Sequence, residues 1–146
     1  MAEQDNAQHA RQAIAAINDR KLDQYLQLLD DSFVMENEMA PAPIHGKQAV
    51  RQMLEGYFKG IPDFHIEIEQ IITSGDHVVV RSHVTGTHKG TFLGIPATNK
   101  KIDIHGCNVT EVRNGKAVRS RLYGDNAKLF QQLGVLTLPK AVAAQT

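Results

Sequence analysis

The sequence of 146 residues has little of what marks the more specialised classes of protein. It contains a single cysteine, Cys107, and no tryptophan. One cysteine excludes an intramolecular disulfide and a zinc site built from cysteines. An excess of charge of one sign is also missing, since sixteen lysines and arginines balance sixteen aspartates and glutamates. The chain therefore has no net field that would gather nucleic acid or an anionic membrane.

Long apolar runs are absent as well. No window approaches the roughly 18 apolar residues that span a bilayer, and the charged residues within 1–15 do not resemble a signal peptide. We therefore expect a cytoplasmic protein with no nucleic-acid or membrane partner. A content of 42% hydrophobic and 22% charged residues is that of an ordinary globular domain. We expect one domain over residues 1–146, with loose tails at 1–6 and 136–146.

Helical spacing of apolar residues dominates the first part of the chain. From Ala7 to Leu29 these residues recur every three or four positions, and a polar break at 18–21 divides the segment into two predicted helices. A short apolar stretch follows at 32–35. A third helix is predicted after His45-Gly46 and ends at Gly60.

Beyond this point the apolar spacing changes to two, the period of a strand. The pattern predicts four strands and a short helix, which contain Ile66 to Ile71, Val78 to Thr87, Ile102 to Val112, Ala117 to Tyr123 and Ala127 to Leu133. Helices followed by antiparallel strands indicate an α+β fold, with the helices packed on one face of a curved sheet. A small ligand would lie in the cavity between the two layers.

Two segments resemble the SnoaL-like polyketide cyclases. Residues 86–101, which run Gly-Thr-His-Lys-Gly-Thr-Phe-Leu-Gly-Ile-Pro-Ala-Thr-Asn-Lys-Lys, are similar to a strand-and-loop signature of that family. The segment from Lys116 to Asp125 and on to Gly134 resembles its last strand and closing helix. The resemblance covers most of the chain, from the first helical pair to Val135.

This resemblance implies a cone-shaped fold of the nuclear-transport-factor-2-like superfamily. It also implies a homodimer formed through the outer face of the sheet. Family members of known chemistry are ester cyclases that close a ring by intramolecular aldol condensation, with no metal and no organic cofactor. We therefore expect an ester-cyclase-type enzyme acting on an apolar carbonyl compound. A noncatalytic binding protein and an epoxide hydrolase or ketosteroid isomerase-like enzyme remain alternatives, because fold alone does not decide function.

Asp125 matches the acid/base aspartate of the family. An aldol closure needs a base and hydrogen-bond donors that stabilise the developing negative charge. The carboxylate is expected at the end of the last strand, pointing into the cavity. Position alone supports a second interpretation equally well, because Asp125 directly precedes a predicted helix and aspartate is a preferred N-cap.

The partners of Asp125 depend on the hairpin register around Asn114-Gly115. A two-residue turn, which Asn-Gly favours, pairs Asn108 with Arg121. A three-residue turn instead gathers six side chains on one face: Asp103, His105, Cys107, Arg121, Tyr123 and Asp125. We expect the second register, in which His105 is the donor or proton partner of Asp125 and Tyr123 is an orienting group. A histidine with only a structural role is as good an interpretation of His105.

Arg121 departs from the family, which commonly has tryptophan at this position. A guanidinium beside Asp125 would make that carboxylate a weaker base and would favour binding of an anion. Between Asp103 and Asp125 it could orient two carboxylates around a water, as in an epoxide hydrolase. Alternatively, Arg121 is an exposed sheet residue in an ordinary ion pair.

The other candidates would line the pocket. Asn37 lies where family members often carry a polar His-Asn pair, so it is a candidate carbonyl donor or a turn residue. Aromatic and methionine side chains at helical or strand spacing would form the walls, or only the core: Tyr25, Phe33, Met53, Tyr57 and Phe58. No residue spacing indicates a metal site, since His83 and His88 fall on opposite faces of a strand.

Overall fold

The computed structural model describes residues 3–139. Within them the chain forms α1 (Glu3–Asn18), α2 (Leu22–Gln27), β1 (Leu29–Asn37), β2 (Ile44–His45), α3 (Lys47–Gly60), β3 (His65–Ser74), β4 (His77–Thr87), β5 (Lys101–Arg113), β6 (Lys116–Gly124) and α4 (Asn126–Gln132). None of the helices in the described part is long and apolar enough to cross a membrane.

The strands form one curved, six-stranded sheet with the order β2-β1-β6-β5-β4-β3. Neighbouring strands are antiparallel except β1 and β6, which are parallel. The prediction of a purely antiparallel sheet is therefore wrong at this pair. The sequence pattern located only the centre of β1, and local spacing carries no information about a partner more than eighty residues away. Parallel strands need a long connection, which the chain between β1 and β6 supplies.

The helices cover one face of this sheet and confirm the α+β class. Helix α1 packs against β3 and β4, and α3 packs against β1 and β2. On the covered face, β4 contributes Val78 and Val80, which are almost fully buried. Because strand side chains alternate between faces, the even-numbered residues of β4 point inward and the odd-numbered ones point outward. This alternation decides which predicted residues reach the cavity.

The hairpin between β5 and β6 combines both registers that the sequence left open. Its turn has two residues, Asn114 and Gly115, both with positive φ (52° and 75°), as a type I′ turn requires. Arg113 therefore pairs with Lys116, but a β-bulge at Val118 shifts the pairing by one residue from there on. The three-residue turn was a wrong prediction, and the bulge nevertheless produces the register that such a turn would have set.

The segment that carries the family resemblance packs closely against the end of α3. A Cβ atom on Gly86 would lie 2.2 Å from Ile61 Cγ2, and one on Gly90 would lie 2.4 Å from the Lys59 carbonyl oxygen. His88 is fully buried, and its Nδ1 lies 2.9 Å from Thr98 Oγ1. The two glycines thus permit a close backbone approach, and His88 has a structural position inside the loop that follows β4.

The chain ends differ from the expectation of loose tails where they are described. Helix α1 already begins at Glu3, and Asn6 is fully buried with its Nδ2 donating to the Gly75 carbonyl. Residues 3–6 therefore belong to the folded domain. Residues 136–139 form no helix or strand. The remainder of the predicted tails, residues 1–2 and 140–146, lies outside the described residues.

Candidate functional site

An apolar cavity of about 160 Å³ lies between the helices and the sheet. Its walls come from α1, α2, β1 and α3 on one side and from β3, β4, β5 and β6 on the other. Aromatic and methionine residues predicted as walls contribute to it: Tyr25, Phe33, Met53 and Tyr57. Among the described residues, no aspartate, glutamate, lysine or arginine lines it, so a bound molecule would meet mainly hydrocarbon.

Three polar side chains form a hydrogen-bonded group on the sheet wall of this cavity. Asn108 Oδ1 accepts from Thr110 Oγ1 at 2.7 Å and from Ser120 Oγ at 2.6 Å. With its oxygen occupied in this way, Asn108 has its Nδ2 left to donate, and no described residue accepts from that nitrogen. The amide is therefore available to a ligand oxygen.

His9 contributes an imidazole to the lining of the cavity. The residue is 8% exposed, and Nε2 lies 2.9 Å from the Leu28 carbonyl oxygen. A carbonyl can only accept, so Nε2 carries a proton, and the tautomer with this proton has its lone pair on Nδ1. The Leu28 carbonyl thus fixes the tautomer in which Nδ1 can take a proton from a ligand.

Two tyrosines also line the site. Burial raises the pKa of Tyr25 and of Tyr57, so both stay protonated and act as hydrogen-bond donors. The Tyr57 hydroxyl also accepts from Asn37 Nδ2 at 3.3 Å. Asn37 Oδ1 in turn accepts from the Met39 backbone N–H at 3.0 Å, so this side chain both orients Tyr57 and makes a turn.

A second, smaller apolar cavity of about 100 Å³ lies toward α4 and is lined in part by Asn37, Tyr123 and Leu129. The two cavities share five lining residues, which stand between them: Tyr57, Phe64, Ser82, Val84 and Leu122. Tyr57 and Phe64 are in ring contact, with centroids 5.9 Å apart. We call the larger cavity the inner chamber and the smaller one the outer chamber.

The structure places Asp125 outside both chambers. Its side chain is exposed, and Oδ1 accepts from the backbone N–H of Lys128 at 3.0 Å, so Asp125 is the N-cap of α4. Its neighbours Gly124 and Asn126 do line the outer chamber. The expected inward orientation of the Asp125 carboxylate is therefore wrong in this structure, because the cap turns it toward the helix backbone. Its catalytic role stays a prediction.

His105 is also outside the cavity. With the observed register, His105 and its partners on that face of β5 point away from the helices, whereas Asn108 and Leu122 point inward. His105 Nδ1 lies 2.9 Å from Glu69 Oε1 on the outer face of the sheet. The expected cluster of polar side chains therefore exists in part, but on the opposite face from the chamber.

Arg121 and Phe58 have other partners. Arg121 Nε donates to Glu36 Oε2 at 2.8 Å, so the guanidinium does not stand between Asp103 and Asp125 as an epoxide-hydrolase arrangement would require. Phe58 packs beneath the Arg20 guanidinium, 4.1 Å from its ring centroid, and lines neither chamber. Tyr123 reaches the outer chamber although the residue is 47% exposed.

Several lining residues were missed by the sequence analysis, above all His9, Thr110 and Ser120. The signal for His9 is its spacing, because His9, Ala13 and Ile17 are four residues apart and so share one face of α1. For the two hydroxyls the signal depends on the hairpin register, and the bulge made that register unreadable from local spacing.

These features define a cone of helices on a curved sheet that surrounds a small-molecule site. A model of the SnoaL-like polyketide cyclases matches residues 7–133, and the chain belongs to that family. No curated protein matches the sequence.

Solved structures share the fold. AclR of Streptomyces galilaeus, described as a proposed hydroxylase, is 25% identical with a TM-score of 0.84, over 99% of this chain and 90% of that chain. IdmH of Streptomyces antibioticus, described as a proposed polyketide cyclase, is 23% identical with a TM-score of 0.77, over 88% and 98%. A Catenulispora acidiphila protein with a ketosteroid isomerase-like fold, in complex with trimethylamine, is 15% identical with a TM-score of 0.75, over 90% and 97%.

Proposed function

We propose that this chain is an ester-cyclase-type enzyme that closes a ring in an apolar carbonyl compound by intramolecular aldol condensation, without a cofactor. The observation that carries the proposal is the inner chamber, whose mainly apolar lining includes His9, Asn108 and the tyrosines Tyr25 and Tyr57. An apolar wall strengthens every polar contact made inside it. Membership of the SnoaL-like family supports this class of chemistry.

The base in this proposal is His9 rather than Asp125. Nδ1 of His9 takes a proton from the carbon next to one carbonyl group, and the enolate oxygen accepts hydrogen bonds from Asn108 Nδ2 and the Tyr25 hydroxyl. The enolate carbon then bonds to the second carbonyl carbon, whose oxygen becomes an alkoxide. The protonated His9 returns the proton to that alkoxide, so the ring is closed and the imidazole is neutral again.

The size of the chambers limits the substrate. An apolar cavity of about 150 Å³ holds a benzene molecule, so the inner chamber, at about 160 Å³, has room for a single ring. Movement of Tyr57 would join it to the outer chamber of about 100 Å³. We therefore infer a product of one or two small rings.

Conservative variants test the proposal with a panel of linear keto esters that cyclise to one or two rings. His9→Gln keeps a donor near the Leu28 carbonyl but removes the base, and we expect a loss of about 100-fold or more in kcat. His45→Gln, at an exposed histidine of β2, is the matched control and should leave kcat unchanged. If His9→Gln kept its turnover and Asp125→Asn lost it, the catalytic base would be Asp125, as the family resemblance implies.

A noncatalytic binding protein is the second candidate, and one observation favours it. Neither chamber is lined by a carboxylate from the described residues. Such a protein would bind small apolar ketones, which would raise its melting temperature, and wild-type protein would turn over no member of the panel.

We also infer a homodimer through the outer face of the sheet, as the family resemblance implies. Light scattering at working concentration tests this, and a monomeric mass would contradict it. The cytoplasmic location stays a prediction.

A further inference from the structure

The outer face of the sheet gathers two histidines and two carboxylates from three neighbouring strands. His83 on β4 pairs directly with His105 on β5, and Asp103 lies two residues before His105. Glu69 extends from β3 to His105. Since residues two apart in a strand point to the same face, Asp103 and His105 both point away from the inner chamber. This cluster has no role in the ring closure proposed above.

The ligand-type atoms of this cluster are already close together. The His83 and His105 rings stack with centroids 4.6 Å apart and planes 12° from parallel. His83 Nε2 lies 2.5 Å from Asp103 Oδ1. One nitrogen or oxygen from each of His83, Asp103 and His105 lies within 4.8 Å of the other two. Ligand atoms around a tetrahedral zinc ion are about 3.3 Å apart, given bonds of about 2.0–2.2 Å. Small side-chain rotations therefore bring all three to a common ion.

We propose that His83, Asp103 and His105 bind one divalent first-row transition-metal ion, with Glu69 as a positioning residue. Two imidazoles and a carboxylate are a ligand set that suits Zn²⁺. The ion would replace the hydrogen bond between His83 Nε2 and Asp103 Oδ1.

The contact between Glu69 and His105 gives the second line of argument. Glu69 Oε1 lies 2.9 Å from His105 Nδ1. A carboxylate that accepts from one ring nitrogen fixes the tautomer and leaves the other nitrogen free for a metal, which is the usual arrangement around metal-bound histidines. His105 Nε2 is therefore the ligand atom.

The charges around the cluster are compatible with a cation. Asp103 and Glu69 together compensate the two positive charges of the ion. Arg81 Nη1 lies 3.8 Å from Glu69 Oε1, and the charge of Lys128 acts on Asp103. The side chains of Asp103 and His105 are more than half exposed, at 64% and 54%. In the single chain the remaining coordination positions are therefore open to water.

Equilibrium dialysis of the untagged protein against ZnCl₂ alone, followed by elemental analysis, tests the site. We expect one Zn²⁺ per chain. His83→Gln and His105→Gln should each weaken binding by about tenfold or more, whereas the control His65→Gln, at an exposed histidine of the same sheet, should not change it. Circular dichroism verifies that each variant is folded.

Glu69→Gln separates positioning from ligation. It should weaken Zn²⁺ binding by about 10–100-fold while Co²⁺, used as a spectroscopic substitute, keeps the visible absorption of the wild-type site. The proposal is overturned if wild-type protein retains no Zn²⁺ or if binding survives the combined His83→Gln and His105→Gln change. It is also overturned if one ion is bound per two chains, which would indicate a site shared between copies.

Discussion

The sequence left two interpretations of Asp125 open, a catalytic acid/base and a helix N-cap. Its carboxylate accepts from the Lys128 backbone N–H and so caps α4. Asparagine caps a helix about as well as aspartate, whereas alanine does not. We predict that Asp125→Ala lowers the free energy of unfolding by about 1 kcal/mol and that Asp125→Asn leaves it almost unchanged.

Urea unfolding of the two Asp125 variants measures this difference. Equal destabilisation by alanine and asparagine would contradict the cap. The pair also makes the kinetic experiment interpretable, because Asp125→Asn tests the carboxylate as a base without removing the cap.

The candidate site could be predicted from the sequence only in part, and the reason differs between residues. Tyr25 and Met53 were readable as wall residues, because helical spacing alone puts them on the covered face. Asn108 and His105 could not be assigned, because a shift of one residue in the hairpin exchanges the two faces of β5. The bulge at Val118 that sets this register leaves no mark on the spacing of apolar residues.

At the level of elements, the parallel pair of β1 and β6 is reinforced by one carboxylate that lies between two guanidinium groups. Glu36 on β1 accepts from Arg119 Nη1 at 2.5 Å and from Arg121 Nε at 2.8 Å on β6. The hydrogen bond from Arg121 is the main reason that the pKa of Glu36 lies below its usual value of 4.5. This contact joins two strands that the chain connects only through the rest of the domain.

The pH dependence of stability should reflect this arrangement. A carboxyl group with a lower pKa in the folded state than in the unfolded chain stabilises the fold above the unfolded value, and this contribution is lost as pH falls. We predict that the urea midpoint of the wild type falls below about pH 4.5 and that Glu36→Gln reduces this dependence. Exposed Glu38→Gln is the control, and identical pH profiles for wild type and Glu36→Gln would contradict the prediction.

The features of the fold that could be predicted are those that depend on residues close together in the sequence. The two-residue period located β4, β5 and β6 to within one residue and β3 to within three, since each strand has one covered and one open face. Such a period describes a strand but not its partner. The length of β1 and its parallel pairing depend on contacts across the whole domain, and these the sequence pattern does not contain.

For the molecule as a whole, the inner chamber is space that the protein leaves unfilled. Interiors are normally close-packed, and each methylene group that fills such a space adds about 0.8 kcal/mol of burial. A cavity of about 160 Å³ therefore lowers stability, and in the proposed function it is the room that the ligand needs. The same empty space that lowers the stability would hold the ligand.

A larger side chain that fills the chamber should therefore raise the free energy of unfolding and abolish ligand binding. Ala13 on α1 lines it, and Ala13→Leu would place three more carbon atoms inside. We predict a gain of about 0.5–2 kcal/mol in the free energy of unfolding together with loss of the rise in melting temperature that a small aromatic ketone causes in the wild type. Ala15→Leu, at an exposed position of the same helix, should change neither. If Ala13→Leu bound the ketone as the wild type does, the ligand would lie outside the inner chamber, and the ring closure proposed for His9 would lose its site.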